Sequence, residues 1–129
     1  MLCLSPNNDS ATATPSVGGQ RFQATLGVAG DQDDFAVTVP AGATILATVG
    51  DSAVDTCGQV GAIDSEVEIY DTDGTTSLAY NDDVGLGYYC SGASATVSAA
   101  GTYYVRAAGS ADFCADCTYD YSVTIDVTE

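Results

Sequence analysis

The chain has 129 residues, with 18 Asp and Glu against 2 Lys and Arg, a formal charge of −16, and neither histidine nor tryptophan. Phosphate backbones and anionic membranes are gripped by clustered cations, and Arg21 and Arg106 are the only two here, so nucleic acid is excluded as a partner; without His or Lys there is also no imidazole base, Ser-His triad, Schiff base or P-loop. At 46% hydrophobic residues the chain is too apolar for a disordered acidic tail, and its length suits a single core.

Residues 1–20 read as an N-terminal extension and residues 21–129 as one domain. The extension carries Cys3 and the sequon Asn8-Asp9-Ser10, and its start, Met-Leu-Cys-Leu-Ser-Pro, is too short for a signal peptide. No stretch reaches the ~18 apolar residues of a membrane helix, so no membrane insertion is expected. Five cysteines in a small, loop-rich chain speak for an oxidising compartment. The expectation is a mature chain that is extracellular or held at a cell surface.

From residue 21 onward the apolar residues recur with period two, the repeat of a half-buried strand. Strands are expected near Arg21–Leu26, at Phe35-Val37-Val39, at Ile45-Ala47-Val49 and at Val67-Ile69, then near Thr76–Tyr80, Ala95–Ser98 and Thr102–Ala107. The clearest is the last, where Tyr119, Tyr121, Val123, Ile125 and Val127 alternate with polar residues. About eight strands and no helix indicate an all-β, jelly-roll-like antiparallel sandwich.

Three connections are short: Pro40-Ala41-Gly42, Asp71-Thr72-Asp73-Gly74 and Ala99-Ala100-Gly101. Each supplies the φ-fixing or φ-positive residues of tight hairpins. Asp71–Gly74 also resembles the start of a calcium loop, but its glycine is fourth rather than sixth and β-rich sequence flanks it, which favours a hairpin turn. The other connections, 27–33, 50–64, 81–93 and 108–117, are long. If strands alternate up and down, short and long connections fall at opposite ends.

The long-loop end then collects Asp31, Asp33, Asp34, Asp51, Asp55, Asp64, Asp82, Asp83, Asp112 and Asp116, ten of the 18 acidic residues. Carboxylates so crowded need a counter-charge. Calcium, which takes six to eight oxygen ligands, is the economical one, and Asp64, Asp82 and Asp83 form one candidate cluster. The same end receives Cys57, Cys90, Cys114 and Cys117. A Cys57–Cys90 bridge and a small Cys114–Cys117 ring are the simplest arrangement, although four cysteines allow three connectivities. A redox or zinc role for Cys114-Ala115-Asp116-Cys117 lacks the strand-helix setting or the second CxxC it would need. Tyr88-Tyr89, in a long loop, is a pair available to a partner.

The runs Asn7-Asn8-Asp9, Gly30–Gly42, Val67–Gly74 leading to Asn81-Asp82-Asp83, and Ala100–Arg106 together resemble the bacterial pre-peptidase C-terminal domain over about residues 7–127. That resemblance implies a non-catalytic β-sandwich appended to exported proteins, related to the collagen-binding domains of clostridial collagenases. It further implies Asn8, Asp9, Asp31 and Asp34 as calcium ligands, with Asp33 as neighbour or alternate. Gln32 and Asp34-Phe35 depart from the Tyr-Phe pair common there.

Carboxylate pairs perform glycoside hydrolysis and aspartic proteolysis without histidine, but these acids lie in loops of a small sandwich, and no enzyme is expected. The functional expectation is a calcium-stabilised structural or adhesive surface module, self-assembling into a homopolymer through its N-terminal segment. The alternative is an accessory module that targets a secreted hydrolase to collagen or polysaccharide.

Overall fold

The structure is a computed structural model, and it describes residues 13–16, 20–26, 32–51, 65–81, 91–109 and 119–129. They form nine strands and no helix: β1 (Thr14–Ser16), β2 (Gln20–Leu26), β3 (Gln32–Val39), β4 (Thr44–Asp51), β5 (Ser65–Tyr70), β6 (Ser77–Asn81), β7 (Ser91–Thr96), β8 (Gly101–Gly109) and β9 (Tyr119–Thr128). Among the described residues no helix is long and apolar enough to cross a membrane.

Two sheets result. Sheet A has the order β1-β3-β8-β5-β6 and sheet B the order β2-β9-β4-β7. The antiparallel pairs β5·β6, β4·β7, β3·β8 and β2·β9 are nested inside one another like a single long hairpin, and the further pairs β5·β8 and β4·β9 roll that hairpin closed. That is the jelly-roll wrapping anticipated from the alternation. β1, which falls within the expected N-terminal extension, adds a ninth strand parallel to β3.

Alternation explains why the sheets face each other. Phe35, Val37 and Val39 of β3, Ile45, Ala47 and Val49 of β4, Val67 and Ile69 of β5, Tyr103, Val105 and Ala107 of β8, and Val123 and Ile125 of β9 are all buried in one core. A row across sheet A, Phe35–Val105–Ile69, runs through it. Tyr103, at 3% exposure, donates its hydroxyl to the Ala99 carbonyl at 2.6 Å, so its one polar atom does not go unpaired. On the outer faces, hydroxyl contacts of 2.8 Å between Thr38 and Thr102 and between Thr44 and Thr96 hold the β3·β8 and β4·β7 registers.

Two expectations change. β7 begins at Ser91, inside the stretch read as loop 81–93, because Ser-Gly-Ala-Ser-Ala-Thr has little β propensity of its own and pairs instead with β4. Pro40–Gly42 and Ser98–Ala100 also do not close hairpins; they carry the chain between the sheets. There the Gly42 amide donates to Val97 O at 2.7 Å and the Val97 amide to Ala43 O at 2.9 Å, with Gly42 at φ 86°, a value glycine adopts without strain.

Asp71–Gly74 is the hairpin turn it was read to be, joining β5 to β6. Gly74 has φ 74°, and its amide donates to Asp71 O at 2.9 Å. Asp73 accepts from the amides of Thr75 (2.9 Å) and Thr76 (2.8 Å) and from the Thr76 hydroxyl (2.5 Å). These donors, the Thr76 hydroxyl first, favour the ionised carboxylate and lower its pKa to about 2. A lowered folded-state pKa stabilises the fold above the unfolded value near 4 and stops doing so as pH falls through about 2. In a carbon-detected NMR titration Asp73 should therefore have its midpoint near 2, and Thr76→Val should move that midpoint upward; a midpoint unaffected by Thr76→Val would show that the hydroxyl bond does not form.

Candidate functional site

The registers place one residue from each of four strands in a row across the outer face of sheet A: Asp34 of β3 opposite Arg106 of β8, Arg106 opposite Glu68 of β5, and Glu68 opposite Tyr80 of β6. Glu66 and Tyr70, two residues either side of Glu68, share that face by strand parity. A half-open hollow of about 130 Å³ lies among them, lined by Gln32, Glu66, Glu68, Tyr70, Tyr80 and Arg106 over Val67 and Ala108.

Arg106 is the hub. Its Nε donates to Asp34 Oδ1 at 2.7 Å and its Nη2 to Asp34 Oδ2 at 2.9 Å, a two-pronged ion pair. The guanidinium also lies 4.7 Å from the centroid of the Tyr70 ring, a cation–π arrangement, and Nη1 donates to the Tyr70 hydroxyl at 3.2 Å. Tyr70 in turn donates its proton to Glu68 Oε1 at 2.5 Å, and Tyr80 donates to Glu66 Oε2 at 3.0 Å. Bonding to Asp34 pushes the Arg106 pKa up. Burial, then the bond to Glu68, pushes the Tyr70 hydroxyl up to about 12, so it stays a neutral donor at any physiological pH.

Of the expected calcium ligands, Asp33 and Asp34 lie among the described residues. Asp34 is fully buried on the strand and both its oxygens bond the guanidinium. The counter-charge that a buried carboxylate requires comes from β8. Asp33, 2% exposed, is buried on the core side of the same strand beside Phe35. The other expected ligands, Asn8, Asp9, Asp31, Asp64, Asp82 and Asp83, lie outside the described residues. So do Cys3, Cys57, Cys90, Cys114, Cys117, the Asn8 sequon and Tyr88-Tyr89. Among the described residues no three acidic, Cys or His side chains come together to hold a metal.

What the described strands do establish is polarity. Leu26 pairs with Tyr119, Asp51 with Tyr121, Val49 with Ser91, Gln32 with Ala108, Ser65 with Gly109 and Val67 with Asn81. The strand ends that lead into 27–31, 52–64, 82–90 and 110–118 are thus all at the end of the sandwich opposite the three short turns.

Sequence reasoning missed the outer-face network. Its partners are 72 and 36 residues apart for Asp34–Arg106 and Tyr70–Arg106. The one available signal was Glu66-x-Glu68-x-Tyr70, three polar-headed side chains on a single strand face.

No protein-family model matches the sequence, and no curated protein matches it. Solved structures do match in fold. The pre-peptidase C-terminal domain of a Bacillus anthracis collagenase superposes with a TM-score of 0.62 at 16% identity, over 88% of this chain and 94% of that one. Aeromonas hydrophila PliG, a periplasmic inhibitor of g-type lysozyme, superposes at 0.60 and 12% identity, over 90% of this chain and 97% of that one. The Salmonella Typhimurium PliG follows at 0.57 and 13% identity, over 90% and 100%. This chain therefore shares the β-sandwich fold of the pre-peptidase C-terminal domain, as its motifs suggested.

The Asp34–Arg106 pair is open to direct test. Asp34→Ala leaves a guanidinium, whose side chain is only 22% exposed, without its carboxylate, and should cost about 2–4 kcal/mol in urea unfolding. Replacing both members, Asp34→Leu with Arg106→Met, should restore most of that loss, because no unpaired charge remains. Equal losses in the single and double variants would show that packing, and not the uncompensated charge, sets the cost.

Proposed function

We propose that this chain is a non-catalytic binding module of an exported protein, with the outer face of sheet A as its docking surface. The observation that carries this is the half-open hollow between β5, β6 and β8, where carboxylates, tyrosines and an arginine are held on regular strands. Rigid strands present such groups already ordered, which lowers the entropic cost of binding. The superposed collagenase domain and lysozyme inhibitors support the reading, since in those proteins the scaffold belongs to a collagenase or acts as an inhibitor. Among the two functions expected from sequence, this favours an accessory targeting module over a self-assembling surface filament. Within the N-terminal segment that a filament would use, β1 is paired to its own sheet, where Ser16 donates its hydroxyl to Ala36 O at 2.9 Å.

Blocking the hollow tests the proposal. Ala108 lines it, so Ala108→Arg should fill it and abolish capture of whichever immobilised ligand the unaltered chain retains among collagen, insoluble polysaccharide and a basic protein, with little change in melting temperature. Undiminished capture by Ala108→Arg would remove this face from consideration.

We further propose that calcium stabilises the fold at the end reached by the long segments, with Asn8, Asp9, Asp31, Asp64, Asp82 and Asp83 as ligands beside Asp33. Carboxylate and amide oxygens are the donors that calcium takes, and the strand polarity supports their convergence. Asp34 joins them as a ligand through the lone pairs that its bonds to Arg106 leave. Binding to the folded state alone should stabilise by about 3–4 kcal/mol at saturating calcium. Identical thermal melts in millimolar calcium and in chelator would end this proposal; stabilisation by sodium chloride alone would show that screening, not coordination, relieves the repulsion.

A further inference from the structure

We propose that the hollow on the outer face of sheet A receives a lysine or arginine side chain from a basic partner protein, held by the Glu66 and Glu68 carboxylates beside the Tyr80 ring. This rests on the reading of that face as the docking surface and names its occupant.

The face contains its own precedent. One strand over, a carboxylate and a tyrosine, Asp34 and Tyr70, hold the guanidinium of Arg106 by a bidentate bond and a ring contact. The pair Glu66 and Tyr80 repeats the carboxylate-and-tyrosine element at the outer margin of the same hollow, with the tyrosine hydroxyl already turned onto the carboxylate at 3.0 Å. Among the described residues no cation pairs with Glu66 or Glu68, because the guanidinium nitrogens of Arg106 are directed to Asp34 and the Tyr70 hydroxyl. Of the three carboxylates on this face, the guanidinium thus bonds that of Asp34 alone.

Size and shape narrow the occupant. A hollow of about 130 Å³ is well below the ~300–1,000 Å³ of a small-molecule pocket; it accommodates one side-chain head rather than a whole ligand. A neutral polysaccharide would call for several exposed rings to stack on. Among the described tyrosines on the outer face of sheet A, Tyr80 is exposed, at 54%, while Tyr104 is half-buried and the Tyr70 ring is covered by Arg106. A cation is favoured on both counts, and a chain of charge −16 attracts one from a distance.

The test uses octa-arginine as the probe, at about 0.15 M salt so that distant charges are screened, with amide NMR shifts and titration calorimetry as readouts. Two double variants of equal charge are compared: Glu66→Gln with Glu68→Gln in the hollow, and Asp126→Asn with Glu129→Gln on β9 and the residue that follows it. The expected result is shifts at residues 66–70, 80 and 106–108, affinity weakened about tenfold by the hollow variant, and less than about twofold by the other. Equal weakening by both variants would overturn the proposal, since net charge alone would then explain binding. A neutral glucan oligosaccharide that shifts those residues while octa-arginine does not would overturn the cationic occupant and keep the docking face. Shifts from neither probe at those residues would overturn the occupant, while the Ala108→Arg capture assay judges the face independently.

Discussion

Arg106 sits where the two requirements of sheet A meet. Inward, its strand neighbour Val105 pairs with Phe35 and Ile69 in the core row; outward, Arg106 itself pairs with Asp34 and faces Glu68 in the adjacent row. The same three strands, β3, β8 and β5, are therefore joined by apolar packing on one side and by an ion pair and a cation–π contact on the other. A buried carboxylate such as Asp34 is tolerable only because the guanidinium stands opposite it in register. In a chain so poor in cations, that placement decides the rest of the face. Whatever Arg106 gives to Asp34 is not available to Glu66 and Glu68.

The rolled hairpin separates two kinds of acidic surface. Because β2 to β9 alternate in direction, the short turns collect at one end and the strand ends leading into the long segments at the other. Glu66 and Glu68 project from β5 itself, an interior strand of sheet A between β8 and β6, with Glu66 near its start and Glu68 paired on both sides. Their spacing is set by the strand repeat and their hydroxyl partners by neighbouring tyrosines.

Much of the fold was legible because burial on one side of a sheet writes itself into sequence as alternation. Phe35-Val37-Val39, Ile45-Ala47-Val49, Val67-Ile69 and Val123-Ile125 were all read as inward rows, and all are core. The exceptions are equally physical. β7 has only small residues, so nothing local distinguishes it from loop, and its identity comes from pairing with β4. β1 is three residues long and parallel, a pairing that local pattern does not encode. The Asp34–Arg106 pair was not legible at all: the partners lie 72 positions apart, and only the β3·β8 register brings the two together. Loop acidity is visible in a sequence, whereas a cross-strand row is visible only once the register is known.

The contrast between the two acidic surfaces bears on how each could act. Carboxylates carried on long connections can approach a small ion from several directions, which suits the six to eight oxygens that calcium gathers. Glu66 and Glu68 are fixed on alternate positions of one strand, and both point the same way; they cannot wrap an ion. They can, however, offer a directed pair of acceptors to a planar or tetrahedral cation that enters from outside, with Tyr80 beside them and the Arg106–Tyr70 stack closing the inner wall. Strand pairing of β5 with β8 and β6 fixes their spacing, so the folded sheet presents both carboxylates already placed for an incoming cation.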